Sequence, residues 1–181
     1  MVVPMSDMLV TVIDSKTLHA RVAEIGAQVT ARYPAAEPLV LVCVLKGAFL
    51  FFADLVRHID RPMEFDFVRM SSYGAGTTRG GKTIFSKDME VDITGKHVLI
   101  VEDVVDTGRS VQFLLDVLGK RGARSVGVCA AVDKRERREI DLTVDFAGFT
   151  IQKGFIVGYG MDYAEKYREL DAIYELVPQQ G

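Results

Sequence analysis

The stretch that decides the fold runs from Val98 to Ser110 and reads VLIVEDVVDTGRS. It begins with a short apolar run, which is typical of a strand covered on both faces in a parallel sheet. Two adjacent acids follow, and residues Glu102 to Ser110 are predicted to form a turn. It holds a third acid and then small and hydroxyl residues, and it leads into a helical apolar pattern. A buried strand that ends in acids before a helix is typical of α/β sheets, which bind ligands beyond the carboxyl ends of their strands.

Similar apolar runs lie on both sides of this stretch and alternate with helical patterns. Further strands are predicted at Leu39 to Val44, Glu64 to Met70, Thr83 to Ser86, Val126 to Val132, and near Thr143 to Phe146, Phe155 to Val157 and Ala172 to Leu176. Helices are predicted from Leu18 to Val29 with a cap at Asp14 or Ser15, from Ala48 to Ile59, and from Val111 to Leu118. The alternation predicts an α/β fold with a mostly parallel sheet and helices on both faces.

The composition limits the class of protein. A chain of 181 residues that is 49% hydrophobic and 26% charged is expected to form one folded domain over residues 1–181. The net charge of −3 gives no basic field for nucleic acid. Cys43 and Cys129 lie in apolar runs, which indicates buried thiols in a reducing compartment. The sequence shows no signal-peptide pattern and no apolar run of membrane length, so we expect a cytoplasmic protein without a membrane anchor.

The turn after the acids has the chemistry of a phosphate site. Thr107, Gly108, Arg109 and Ser110 precede the predicted helix, so their backbone N–H groups lie at its positive end. Two hydroxyl groups add donors, and glycine allows the backbone to approach a ligand closely. These residues are therefore predicted to bind a phosphate group.

The three acids predict a second part of the same site. Glu102 and Asp103 suit a sugar diol or a divalent cation, because hard cations prefer carboxylate oxygens. Asp106 lies between this acid pair and the phosphate turn, where it can act on the bond that joins the sugar to another group. Asp106 alone would be explained as a helix cap, but two further acids directly after a buried strand argue for a ligand site.

These residues carry a family resemblance. The stretch Val98 to Ser110 resembles the signature of type I phosphoribosyltransferases, which bind 5-phosphoribosyl 1-pyrophosphate (PRPP). From Leu39 to Leu176 the chain resembles the bacterial hypoxanthine (6-oxopurine) phosphoribosyltransferases. The resemblance implies a core over about residues 12–132, with a small hood from the chain ends and residues 133–176 covering the base. It also implies transfer of the phosphoribosyl group to N9 of hypoxanthine and/or guanine, which yields IMP or GMP and pyrophosphate.

The resemblance also implies roles for individual residues. Asp106 would act at N7 of the purine, and Ser72 and Tyr73 would begin a flexible loop that closes over the site. Pyrophosphate would be bound by Lys46, Gly47 and Arg168. The purine would be bound by Lys134, Phe155, Ile156 and Asp162, and Mg²⁺ by Glu102, Asp103 and Asp162. A homodimer or homotetramer is also implied.

Two of these assignments have ordinary alternatives in the sequence itself. Lys46 also fits the end of a buried strand, and Lys134 begins a charged run to Glu139 that also fits a solvated face. As a purine ligand, the Lys134 ammonium would donate to a carbonyl oxygen but gain nothing from an amino group. That preference would favour hypoxanthine or guanine over adenine.

Two other functions compete with a phosphoribosyltransferase. Residues Gly76 to Thr83 fit the phosphate-loop pattern of ATP and GTP hydrolases, but that pattern requires a helix that opens at its lysine. The residues after Lys82 lack a helical apolar stripe, so we interpret the match as accidental. The second alternative is a phosphoribosyltransferase-like regulator that binds RNA or controls transcription. Its basic face would have to be the cluster Lys134 to Arg138, which Glu136 and Glu139 dilute.

Overall fold

The computed structural model describes residues 8–73 and 82–177. Its helices are α1 (Ser15–Arg32), α2 (Phe49–Val56) and α3 (Arg109–Lys120). Its strands are β1 (Met8–Ile13), β2 (Leu39–Leu45), β3 (Glu64–Tyr73), β4 (Lys82–Lys87), β5 (His97–Val105), β6 (Ser125–Lys134), β7 (Phe146–Ile151), β8 (Ile156–Val157) and β9 (Ile173–Val177).

The main sheet has six strands in the order β4-β3-β2-β5-β6-β7. Its strand pairs are parallel except β3 with β4, so the predicted mostly parallel α/β sheet is confirmed. Helices cover both faces: α1 and α2 pack with Leu41 and Cys43 of β2, while α3 packs with Val40 and Val42. Because successive side chains of a strand point to opposite faces, β2 is apolar throughout.

A second sheet of three strands, in the order β1-β9-β8, is built from the two ends of the chain. The sequence analysis predicted no strand at β1. Met8, Val10 and Val12 of β1 are each more than 40% exposed, so its apolar residues do not mark a buried face. Its pairing with the distant strand β9 is what forms this strand, and a short sequence window does not contain that information.

Two predicted boundaries are wrong. Residues Glu102 to Val105 continue β5 and do not form a turn, because the strand stays paired with β6 as far as Val105 and Asp133. The strand predicted near Thr143 to Phe146 begins only at Phe146, where pairing with β6 starts. The acids Glu102 and Asp103 therefore belong to a paired strand, which fixes their backbone.

The glycine-rich segment between β3 and β4 falls mostly at residues 74–81, outside the described residues. Ser72 and Tyr73, predicted to begin a flexible loop, are the last two residues of β3. Lys82 begins strand β4 and not a helix, so the context that a nucleotide-hydrolase phosphate loop requires is absent there. Within the described ranges, no helix is long and apolar enough to cross a membrane.

Candidate active site

Two neighbouring clefts open at the carboxyl ends of β5 and β6. The first is lined by the acids and the predicted phosphate turn, with Val44, Leu45 and Met70 on its other side. The second is lined by the predicted purine residues Lys134, Phe155, Ile156 and Asp162, together with Val104, Arg137 and Met161. Asp103 and Asp106 line both clefts and form the wall between them. Ligands bound in the two clefts would meet at these carboxylates.

The predicted phosphate turn lies at the start of α3. Gly108 is the residue before the helix, with φ of 85°, and Thr107 and Ser110 line the first cleft. The backbone oxygen of Thr107 accepts hydrogen bonds from the N–H groups of Glu139 at 3.0 Å and Ile140 at 3.1 Å. The Arg109 N–H donates to Oγ1 of Thr107 at 3.4 Å, so the Ser110 hydroxyl and the other N–H groups at the start of α3 are available for an anion.

The Arg109 side chain does not join the first cleft. Its Nε donates to Oε2 of Glu139 at 2.6 Å, and the residue lines a separate recess with Arg137. The Arg109 side chain is therefore not placed to bind a phosphate in the first cleft, so any contribution of Arg109 would have to come from backbone groups of the turn.

Glu102 is a buried acid, and Asp103 beside it is partly buried. Burial raises the pKa of Glu102 well above its ordinary value, and the adjacent Asp103 raises it further. Burial also raises the pKa of Asp103, although the Val104 N–H donates to its Oδ1 at 2.8 Å. Neither carboxylate forms an ion pair with the described residues. Two such acids suit a divalent cation, which would restore their favourable charge.

The side chains at this site limit how a metal ion can be bound. Among the described residues, no three carboxylate, histidine or cysteine side chains are grouped so as to hold an ion by themselves. Mg²⁺ commonly binds one or two carboxylates and completes its shell with water and substrate phosphates. The buried pair Glu102 and Asp103 fits that pattern.

Asp106 has the clearest unmet hydrogen-bonding capacity in the site. Its Oδ1 is buried without a hydrogen-bond partner among the described residues. Its Oδ2 lies 3.6 Å from Nη1 of Arg137, and the side chain is 28% exposed. A free carboxylate oxygen on the wall between two clefts can accept a proton from a ligand in either one.

The second cleft combines an ammonium group with an aromatic face. The Lys134 side chain is 9% exposed at the end of β6, with Nζ 3.5 Å from Oε2 of Glu136. Phe155 is half-exposed and packs edge-to-face against Tyr163, with ring centroids 5.5 Å apart. Ile156 is buried in β8. This arrangement suits a flat ligand that carries a hydrogen-bond acceptor.

The loop after β2 lies directly against the acids. A Cβ atom on Gly47 would be 1.7 Å from Oδ2 of Asp103, so no side chain fits there. A Cβ atom on Gly160, whose φ is 96°, would be 1.9 Å from the backbone oxygen of Gly47. The Leu45–Lys46 peptide bond is cis. The predicted pyrophosphate loop thus sits between the acid pair and the segment before β9.

Lys46 and Arg168, both predicted pyrophosphate ligands, bind one carboxylate that the sequence analysis did not identify. Oε2 of Glu165 lies 2.9 Å from Lys46 Nζ and 3.3 Å from Arg168 Nη2. These contacts, that of Lys46 first, hold the pKa of Glu165 below its ordinary value. Arg168 also pairs with Asp162 at 2.7 Å and donates to the backbone oxygen of Gly160 at 2.7 Å. Glu165 lies in a run of both positive and negative residues, and that pattern does not indicate that it contacts Lys46.

Arg138 is a second residue that sequence reasoning missed. Its guanidinium donates to the backbone oxygens of Asp106 at 2.9 Å, Val105 at 3.0 Å and Lys134 at 3.2 Å. It also pairs with Asp133, which is 1% exposed. Arg138 therefore joins the carboxyl ends of β5 and β6, where both clefts begin. The available signal was an acid at the end of a buried strand, which requires a cation nearby.

The fold and these clefts define an α/β protein that binds a phosphorylated ligand beside a second, aromatic-lined cleft. Residues 13–164 match the family model "Phosphoribosyl transferase domain". Hypoxanthine phosphoribosyltransferase from Haemophilus influenzae is 44% identical over 170 residues, 93% of this chain and 95% of that protein. Hypoxanthine-guanine phosphoribosyltransferase from Bacillus subtilis is 39% identical over 95% of each chain.

A solved structure agrees with these sequence matches. The crystal structure of a hypoxanthine-guanine phosphoribosyltransferase from Bacillus anthracis has a TM-score of 0.87 and 43% identity, over 93% of this chain and 98% of that one. The chain therefore belongs to the phosphoribosyltransferase family, within its bacterial hypoxanthine phosphoribosyltransferase group.

The regulator alternative is not supported. The relatives named above are enzymes, and the arginines of the basic cluster that RNA binding would require lie beside acids of this chain. Arg135 and Arg138 pair with Asp133, and Arg137 lies beside Asp106. The charged run is thus neither a plain solvated face nor a free basic surface.

Proposed function

We propose that this chain transfers the 5-phosphoribosyl group of PRPP to N9 of hypoxanthine and/or guanine, forming IMP or GMP and pyrophosphate. One observation carries the proposal: the two clefts share Asp103 and Asp106 as a common wall. A sugar in the first cleft and a base in the second would meet there, as a bond between them requires. The names and high coverage of the relatives support the same reaction.

The first cleft would bind the donor. Backbone N–H groups and hydroxyls of residues 107–110 would hold the 5′-phosphate at the N-terminus of α3. Glu102 and Asp103 would accept hydrogen bonds from the ribose hydroxyls. Gly47, with Lys46 and Arg168, would hold the pyrophosphate group at the other side of the acid pair.

Mg²⁺ is the proposed cofactor. Glu102 and Asp103 would hold one ion, and Asp162, which is not grouped with them among the described residues, would contribute to a second. When bound, it would neutralise charge on the leaving pyrophosphate. The buried and unpaired state of the acid pair supports this assignment.

The chemical step exchanges one bond at C1′ of the ribose for another. The bond to pyrophosphate breaks and its electron pair leaves with pyrophosphate, while the lone pair of N9 forms the new bond. Positive charge that develops on the ribose would be stabilised by the carboxylates beside it. Asp106, with its free Oδ1, would accept or share the proton at N7.

The second cleft would select the base. The Lys134 ammonium would donate to the exocyclic oxygen of a 6-oxopurine, and Phe155 would stack on the ring. Ile156 would offer backbone groups to the base edge, and Asp162 would lie beside it.

Further proposals follow from the same family. Residues 1–181 would form one domain in which the sheet β1-β9-β8 belongs to the hood over the base. Ser72 and Tyr73 would begin the loop that closes over the donor and excludes water. The protein would act in the cytoplasm as a homodimer or homotetramer, and the free, buried Cys43 and Cys129 fit a reducing compartment.

A substrate panel tests the proposal. Pyrophosphate release would be measured with PRPP and Mg²⁺ while hypoxanthine, guanine, xanthine, adenine and uracil are offered in turn. We expect turnover with hypoxanthine or guanine and none with adenine. Folded protein that is silent with all five bases would refute the proposed function, and salt-sensitive RNA binding would then be measured.

A further inference from the structure

The Glu165 carboxylate pairs with both cations that the proposed function assigns to pyrophosphate binding, Lys46 and Arg168. Glu165 Oε2 accepts from Lys46 Nζ and from Arg168 Nη2 at 2.9 and 3.3 Å. Lys46 follows β2, while Arg168 precedes β9, so the two cations come from distant parts of the chain and meet at this oxygen. An ammonium and a guanidinium that share one anionic oxygen would bind a phosphate oxygen in the same way.

Glu165 is presented by a defined turn. Its backbone N–H donates to Oδ2 of Asp162 at 2.9 Å, and Tyr163 and Lys166 exchange backbone hydrogen bonds around it. Ala164 and Glu165 both have left-handed φ angles, 51° and 63°, which are uncommon for residues other than glycine. Such conformations cost free energy and persist where the surrounding structure holds them, often at ligand sites.

The contact is also open enough to be exchanged. The side chain of Glu165 is 66% exposed and that of Lys46 is 46% exposed. Ion pairs with this access to water contribute little stability, so an incoming anion of higher charge can displace the carboxylate. The buried pair of Asp133 with Arg138 lacks this access, because both side chains are largely buried.

We propose that Glu165 is a built-in competitor for the pyrophosphate group, bound to Lys46 and Arg168 when no donor is present. The inference rests on the proposed function. Glu165 must leave both cations when PRPP or pyrophosphate binds, so its charge weakens both complexes. It thereby favours release of pyrophosphate after transfer.

Two matched variants test this role. Glu165→Gln removes the charge and keeps the shape, whereas Glu169→Gln removes the same charge from an exposed residue that forms no ion pair with the described residues. Binding of inorganic pyrophosphate in the presence of Mg²⁺ would be measured by calorimetry on both variants and the unaltered protein. We expect Glu165→Gln to lower the Kd roughly twofold to fivefold, the range for loss of an exposed ion pair, and Glu169→Gln to change it little.

Steady-state kinetics give a second readout. In Glu165→Gln the KM for PRPP should fall by a similar factor, while the KM for hypoxanthine stays unchanged. The difference in pyrophosphate Kd should shrink at about 1 M NaCl, because salt screens exposed charges.

Several outcomes would overturn the proposal. Unchanged or weaker pyrophosphate binding in Glu165→Gln would show that Glu165 does not compete, and equal tightening in Glu169→Gln would reduce the effect to net charge. The proposed function fails separately, if the unaltered protein transfers no phosphoribosyl group to any base. The calorimetric comparison would decide the role of Glu165 even then, and absence of pyrophosphate binding in all three proteins would refute it.

Discussion

Two acids on the same sheet have opposite surroundings. Asp66 on β3 is 7% exposed and accepts hydrogen bonds from the N–H groups of Phe67 at 2.6 Å and Val91 at 2.9 Å, and from that of Glu90. Although burial opposes it, these donors hold the pKa of Asp66 below its ordinary value. Glu102 on β5 has a similarly small exposed surface but lies deeper in the protein, and its pKa is raised well above the ordinary value by burial and by Asp103.

The number of hydrogen-bond donors distinguishes an acid with a structural role from acids that need a ligand. At Asp66 the backbone of β3 and of the segment after β4 supplies the donors that a buried carboxylate needs, and Lys87 Nζ lies 3.6 Å from its Oδ1, so the acid stabilises the fold. At Glu102, Asp103 and Asp106 the fold supplies too few donors, so a ligand or cation has to complete the site. We therefore expect a ligand to bind at the acids whose pKa is raised at the carboxyl end of β5, rather than at Asp66 with its several donors.

The largest expected effect is on catalysis, at the acids that have few hydrogen-bond donors. Asp106→Asn keeps the shape but removes the proton acceptor, so kcat should fall by about 10²–10⁴-fold. The melting temperature should change little, because Oδ1 has no partner to lose among the described residues. Steady-state kinetics measure the loss of kcat, and calorimetry on the same preparation measures the melting temperature. Near-normal turnover would remove Asp106 from the chemistry.

At Asp66, which accepts several hydrogen bonds, a substitution should change stability rather than catalysis. Asp66→Asn turns an amide group toward backbone donors, which should cost about 2–4 kcal/mol of unfolding free energy. For a chain of this size that lowers Tm by about 5–15 °C, while kcat stays within about twofold. Asp60→Asn, at an exposed position, is the matched control and should leave Tm unchanged. A loss of kcat with unchanged Tm would reverse the distinction between the two acids.

The pH dependence of stability sharpens the same comparison. The pKa of Asp66 is lowered by folding, so its stabilisation is fully present above the unfolded value of about 3.9 and is lost as pH falls through the folded value. The Tm difference between unaltered protein and Asp66→Asn should therefore be constant from pH 7 to about 5 and shrink below pH 4. Thermal unfolding across this range measures it, and a difference that grows in acid would contradict the assigned donors.

The smallest expected effect has the opposite sign. Glu102→Gln removes a buried acid that folding penalises, so Tm at neutral pH should rise by about 2–4 °C, which corresponds to about 1 kcal/mol. The same substitution should raise the KM for PRPP, because the ribose and Mg²⁺ lose a carboxylate ligand. Calorimetry measures the change in Tm, and initial rates at increasing PRPP concentration measure the change in KM. A lower Tm would mean that the Glu102 charge stabilises the fold.

The sequence predicted the parts of the molecule that depend on local patterns. The apolar runs at β2, β5 and β6 identified the centre of the sheet because helices cover both of its faces. The helix cap was predicted at Asp14 or Ser15, and Asp14 is the residue that accepts from the Thr17 N–H, at 2.9 Å. The acids and the phosphate turn were placed at the carboxyl end of β5, where the structure has them.

What the sequence did not predict depends on contacts between distant residues. Strand β1 exists through its pairing with β9, and Glu165 is notable only because Lys46 and Arg168 both bind it. Arg138 lies in a run of like charges, and only the packing of β5 beside β6 shows that it is buried. Periodicity describes the face of one element, and it carries no information on which residues from two elements meet.

The pairing of the first strand with the last orders the assembly of the protein during synthesis. Val10 pairs with Glu175, whereas the six-stranded sheet is complete in sequence once β7 has been made. Since chains emerge from the ribosome N-terminus first, the residues of the first cleft are made while β1 still lacks its partner. The second cleft includes Ile156 of β8, which pairs with β9, so it is completed after the first.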